Sequence, residues 1–113
     1  MILVKIKISK KFDIIENQKD IKKKLYSATS LNDWKKLMDN FEAQGKIKKR
    51  KVNWKEDDIN WIYESIIVYD SIEAHQECFN NPVSQTIIEK LIEKGFEIDI
   101  SFKEISEAMA KQI

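Results

Sequence analysis

The chain holds one cysteine, one histidine, one proline and two glycines, and its charges nearly cancel. A lone Cys78 excludes an internal disulfide, which suits a reducing compartment. With 20 Lys+Arg against 19 Asp+Glu the net charge is +1, so no overall field draws the chain to nucleic acid or anionic lipid. Any such binding needs a local patch. No apolar run approaches the roughly 18 residues of a membrane span. The opening stretch MILVKIKISKKF interrupts its apolar residues with lysine and offers no small-residue cleavage site, unlike a signal peptide. A cytoplasmic protein without membrane contact is expected.

What is present is enough for a core. The 113 residues are 42% hydrophobic and 35% charged, the balance of a folded chain rather than a disordered one, and one domain is expected over 1–113. Ile2, Val4, Ile6 and Ile8 alternate with polar residues and predict a strand. In the 10–29 segment, Asn17 with Asp20 can start a short helix whose Ile21 and Leu25 pack inward while the lysines stay wet. Ser30 and Asp33 form a capping signal before Leu31, Trp34, Leu37, Met38 and Phe41, which recur at helical spacing until Gly45 supplies a stop.

Residues 46–70 read as a hairpin around the polar turn KEDD. Centring that turn between Asp57 and Asp58 sets Trp54 opposite Trp61, Val52 opposite Tyr63 and Lys51 opposite Glu64. The second strand, 59–69, is apolar on both sides: Ile59, Trp61, Tyr63, Ile67 and Tyr69 alternate with Ile62, Ile66 and Val68. Such strands are usually buried on both sides. Asp70 and Glu73 then make a capping pair for a short helix with Ile72, His75, Cys78 and Phe79 on one stripe. Asn81 caps the next helix, and Pro82 takes its first position, where a missing N–H costs nothing. Val83, Ile87 and Leu91 face inward and Gly95 ends the helix. Phe96, Ile98, Ile100 and Phe102 give a last strand. A closing helix is expected in 103–113, where Ile105, Met109 and Ile113 fall at four-residue spacing.

The order strand, helix, strand, strand, helix, strand, joined by right-handed crossovers, is a ferredoxin-like βαββαβ plait of the α+β class with an antiparallel sheet. The first strand then lies between the last and the 59–69 strand, which sets Lys5 and Lys7 beside Glu97 and Asp99. One face of a lone plait meets water, yet 59–69 carries large apolar residues for both faces. Leaving them wet forfeits about 1.5–3 kcal/mol each. A second copy packed sheet to sheet is the expected remedy, giving a homodimer and a dimeric α+β barrel.

The segment YESIIVYDSIEAHQECFNNP, an aromatic-rich third strand running into a helix with "EAH" and then an Asn-Pro break, resembles the dimeric α/β-barrel superfamily. Within it, the closest likeness is to antibiotic-biosynthesis monooxygenase domains. That resemblance implies oxygen insertion into an electron-rich small molecule without a cofactor, with His75 as proton acceptor and Trp61, Tyr63 and Phe79 as walls of a substrate pocket. Haem-degrading members use an asparagine on the first strand, a tryptophan on the third and a histidine early in the second helix. Trp61 and His75 match two of these by order. The first strand here has no asparagine, and positions 61 and 75 lie fourteen apart, so no haem is expected.

The candidates each have a second reading. His75 can be a general base or simply a packed histidine of the core. His75 and Cys78, three apart, can touch one ion, but zinc needs three or four ligands and no other His or Cys exists, so no metal is expected. Trp54, Trp61 and Tyr63 suit a pocket for a small apolar ligand, a core, or a dimer seam. In the basic run KIKKRK, alternation puts Arg50 on the side of Trp54, Trp61 and Tyr63, a cation beside stacking platforms. RNA recognition motifs use this topology with aromatics on the central strands, but here the first strand offers lysines on its polar face and the 59–69 strand lacks the glycine-containing motif. Nucleic acid is not expected, and a non-catalytic small-molecule-binding or regulatory dimer stands beside the oxygenase.

Overall fold

The computed structural model describes residues 1–11, 23, 31–56 and 59–113. Ile2–Lys11 form β1, Leu31–Ala43 α1, Ile47–Glu56 β2 and Asn60–Tyr69 β3. Ile72–Phe79 form α2, Pro82–Glu93 α3, Glu97–Glu104 β4 and Glu107–Lys111 α4. The four strands make one antiparallel sheet in the order β2-β3-β1-β4, the ferredoxin-like plait expected from the element order. The expected helix in 10–29, the Ser30 cap and the turn at 57–58 lie outside the described residues.

The elements stop and start where local chemistry requires. After α1, Gly45 adopts φ 75° and the Lys46 N–H reaches back to the Phe41 carbonyl at 2.9 Å. Gly95 does the same after α3 with φ 85°, its follower Phe96 donating to the Leu91 carbonyl at 3.0 Å. Only a residue without Cβ takes this left-handed backbone at no steric cost. Asn81 Oδ1 accepts from the Val83 N–H at 3.0 Å, with Pro82 at the first helical position. The cap of α2 falls one residue later than the Asp70–Glu73 reading. Ser71 Oγ accepts from the Ala74 N–H at 3.2 Å, and Asp70 accepts from the Ser71 hydroxyl at 3.1 Å.

The hairpin register also differs from the expected one. Trp54 faces Tyr63, Val52 faces Ser65 and Lys51 faces Ile66, a slide of two residues, with an irregularity between Ile47 and Lys49. Side chains alternate with period two, so a two-residue slide leaves every residue on its predicted side and the hydrophobic pattern cannot detect it. Glu64 is bonded by Lys55 at 3.1 Å instead of facing Lys51. On β1, Lys7 sits between Glu64 and Asp99, while Lys5 faces Ser101 and Ser9 faces Glu97.

Beneath α1–α3 the core runs from Ile2, Val4, Met38 and Tyr69 at one end to Ile8, Trp61, Leu91 and Phe96 at the other. The far face of the sheet is the larger correction. It is not bare of helices: α4 lies on it, and Leu3, Val68, Ile105 and Ala110 are buried together there. Ser106 caps this short helix by accepting from the Met109 N–H at 3.2 Å, and the Ile105 N–H donates to the Met1 carbonyl at 2.9 Å. Met109, expected inward, is exposed, and Ala110 takes the buried place. The chain's own tail therefore shelters part of the surface for which a second copy seemed necessary. Ile62 and Ile66 remain half-buried.

Candidate functional site

The break from β3 into α2 places the histidine. Tyr69 ends the strand, Ser71 starts the helix, and one turn later His75 lies back over the sheet. Its ring is 5.4 Å from that of Tyr69, 5.3 Å from Phe102 on β4 and 6.1 Å from Phe79, all inclined at 45–51°. His75 is only 8% exposed. Burial among apolar rings penalises the charged form and pulls the imidazole pKa below its ordinary value, so the ring is neutral near pH 7. Among the described residues, no hydrogen bond orients its ring nitrogens.

His75 lies on the wall of a cavity of about 50 Å³ between the sheet and the three helices. Val4, Ile6 and Ile100 form the floor, Trp34 and Leu91 close the sides, and Tyr63 and Phe79 also contribute. The polar groups that reach it are few: His75, Cys78, Ser84 and the two tyrosines. Cys78 and Tyr69 are buried in the same cluster. Burial raises the pKa of both, the tyrosine being pushed further up by the adjacent thiol. A thiol kept protonated in this way is a packing group rather than a nucleophile. Ser84 Oγ is buried with no hydrogen-bond partner. A volume of this size holds a few water molecules, whereas sites for drug-sized ligands run to ~300–1,000 Å³.

Of the four residues singled out from the sequence, the structure brings three to this cavity: His75, Tyr63 and Phe79. Trp61 does not line it. Trp61 is wholly buried at the opposite end of β3, its ring 4.9 Å from Trp54 and 6.0 Å from Phe96, with Nε1 unpartnered. Eight residues separate it from Tyr69 along an extended strand, roughly 26 Å at ~3.3 Å per residue. His75 hangs over the Tyr69 end, so the two matches to the haem-degrading pattern never share a site. Phe102 and Ser84 were not singled out as site residues, and Cys78 was weighed only as a metal ligand beside His75. Ser84 was legible in principle, because it falls on the α3 stripe with Ile87 and Leu91 at the i, i+3, i+7 spacing.

Two residues of the basic run are engaged within the chain. Lys46 pairs with Glu77 at 2.9 Å and stands 5.1 Å above the Phe41 ring, while Arg50 is bonded by both Asp39 and Glu42. Arg50 does share a side with Trp54 and Tyr63, as alternation predicts, but that side lies under α1 rather than open to a nucleic-acid strand. Among the described residues, no group of three or more metal-ligating side chains converges, and no helix is long and apolar enough to cross a membrane.

No protein-family model matches the sequence, nor does any curated protein. Solved structures do share its fold. A dimeric ferredoxin-like protein from an uncultured marine organism superposes with a TM-score of 0.63 at 15% identity, over 95% of this chain and 96% of that one. SnoaB, a cofactor-independent oxygenase from Streptomyces nogalater, gives 0.55 at 10% identity over 94% of each chain. A hydroxynitrile lyase from Passiflora edulis gives 0.51 at 14% identity, over 93% of this chain and 94% of that one. At such identities the likeness establishes the fold alone. The sequence resemblance to oxygenases of this architecture thus holds at the level of the fold.

Proposed function

We propose that this chain is a homodimeric binding protein that holds a small apolar molecule in the cavity between sheet and helices, against the neutral ring of His75. The observation that carries the reading is the place of the His75 ring, 8% exposed on the wall of an otherwise apolar enclosure, where a polar group meets a ligand stripped of water. Phe79, 39% exposed at the end of α2, stands where the cavity wall meets solvent. Tyr63 and Phe79 supply the walls, and Trp61 backs them from the core.

The dimer follows from the far face. Ile62 and Ile66 are half-buried there, and exposed Met109 stands on the tail helix on the same side. Lys7 between Glu64 and Asp99, and Lys55 paired to Glu64, give that face a mixture of signs able to meet its own copy. A structural neighbour is itself described as dimeric.

The catalytic form of this reading is oxygen insertion without a cofactor, with His75 accepting the proton of an electron-rich substrate. It draws support from the neighbouring oxygenase and from the dry cavity. A binding role without turnover is favoured because working bases are usually held in place by a hydrogen bond, and among the described residues none orients this ring. Native mass spectrometry of freshly purified protein, combined with oxygen-electrode assays of any extracted ligand, separates them. A retained small molecule is expected, together with a dimer rather than the 13.4 kDa monomer. Oxygen uptake lost in His75→Ala with unaltered folding assigns catalysis. A ligand-free monomer at every concentration overturns the proposal.

A further inference from the structure

We propose that a second hollow, the groove between α1 and the β2–β3 hairpin, is a binding site for a small planar aromatic carboxylate. This does not rest on the role given to His75.

One small residue lies at the floor of the groove. Along its helix-covered side β3 reads Trp61, Tyr63, Ser65, Ile67, Tyr69, all buried, and Ser65 is the one small side chain among four large ones. Its neighbours across the sheet are Val52 and Ile6. Above it lies a groove of about 420 Å³, with Ser65 among its lining residues. That is within the ~300–1,000 Å³ of small-molecule sites, eight times the cavity beside His75. Trp34 from α1 and Trp54 from β2 line it, and the Trp54 ring stands edge-on to Tyr63 at 4.7 Å. Val52 is 46% exposed beside them. A folded chain usually covers such apolar surface, and a flat aromatic body between indole rings does so.

The charge of the site selects the rest of the ligand. Every charged residue lining the groove is basic: Lys35, Arg50 and Lys51. Asp39 and Glu42 hold Arg50 by Nη2 and by Nε, the latter at 2.8 Å, and neither lines the groove. Their grip fixes the guanidinium in place and leaves Nη1 with two N–H groups to donate. Lys35 has no ion pair among the described residues. An aromatic ring carrying a carboxylate matches this arrangement, with the ring over Ser65 and the carboxylate at the Lys35–Arg50 rim.

The test is a titration of 15N-labelled protein with 1-naphthoate, followed through the three tryptophan indole N–H resonances. Saturable shifts of Trp34 and Trp54, larger than that of Trp61, are expected. Ser65→Leu fills the floor and is expected to abolish them, with Ser65→Val as the milder substitute should the leucine disturb folding. Lys35→Ala, on the exposed side of α1, is expected to weaken 1-naphthoate about tenfold by removing one charge-assisted bond, yet to leave neutral 1-naphthalenemethanol unchanged. His75→Ala is expected to change none of this. No saturable shift at millimolar ligand, binding that survives filling of the floor, or equal affinity for acid and alcohol overturns the proposal.

Discussion

On one side of β3, Trp61, Tyr63, Ser65, Ile67 and Tyr69 are all buried under three helices. On the other, Val68 alone is buried, beneath the tail helix, while Ile62 and Ile66 stay half wet around Glu64. The same ten residues thus belong to two environments. The first holds the aromatic packing, the neutral histidine and both hollows. The second is a mixed surface whose only dry part is supplied by residues 105–110. The contrast teaches that apolar composition marks which residues seek shelter, and not which neighbour provides it.

Substitution on the covered side has the largest expected effect. Trp61→Ala removes the largest fully buried side chain of the core and is expected to cost about 3–5 kcal/mol of stability in denaturant unfolding. A loss under about 1 kcal/mol would make the two sides equivalent and break the comparison. Next comes the tail. A chain ending at Glu104 bares Leu3 and Val68, and about 2 kcal/mol is expected to be lost, because exposing a large apolar side chain costs ~1.5–3 kcal/mol and the freed surface is partly shielded by its neighbours. Self-association on size-exclusion chromatography is expected to increase. Unchanged stability would mean that a partner, and not α4, shelters that face.

The smallest effect is the pH dependence of the covered side. The imidazole of His75 is pulled below its ordinary 6.5 by burial, so in acid the unfolded chain binds a proton that the folded chain resists. Its contribution is present above pH ~6.5 and is lost as pH falls through that value toward the lower folded pKa. Stability of the parent chain is therefore expected to fall more steeply between pH 7 and 5 than that of His75→Phe. Parallel curves would show that the ring is solvated, and the site would then resemble the wet face.

Much of this was legible in the chain. The strand order, the glycine stops and the Asn-Pro helix start follow from local rules, as does the shared side of Arg50, Trp54 and Tyr63. The hairpin register was not, because a slide by two residues preserves the alternation on which the prediction rests. Separately, the length of the extended strand holds Trp61 away from His75. Nor was the tail's destination legible: a segment with one apolar residue in four docks on whichever exposed apolar patch lies within reach, and here that patch is Leu3 and Val68.

By itself the sequence determined the order of the described strands and helices and the side most strand residues face, since these depend on contacts between near neighbours along the chain. Only the tertiary structure decided which elements meet across space: that β4 brings Phe102 to His75, that α4 covers Val68, and that Ser65 lies at the floor of a hollow beneath α1. Period and propensity specify direction and not distance, and a cavity exists only where several such directions fail to fill the same space.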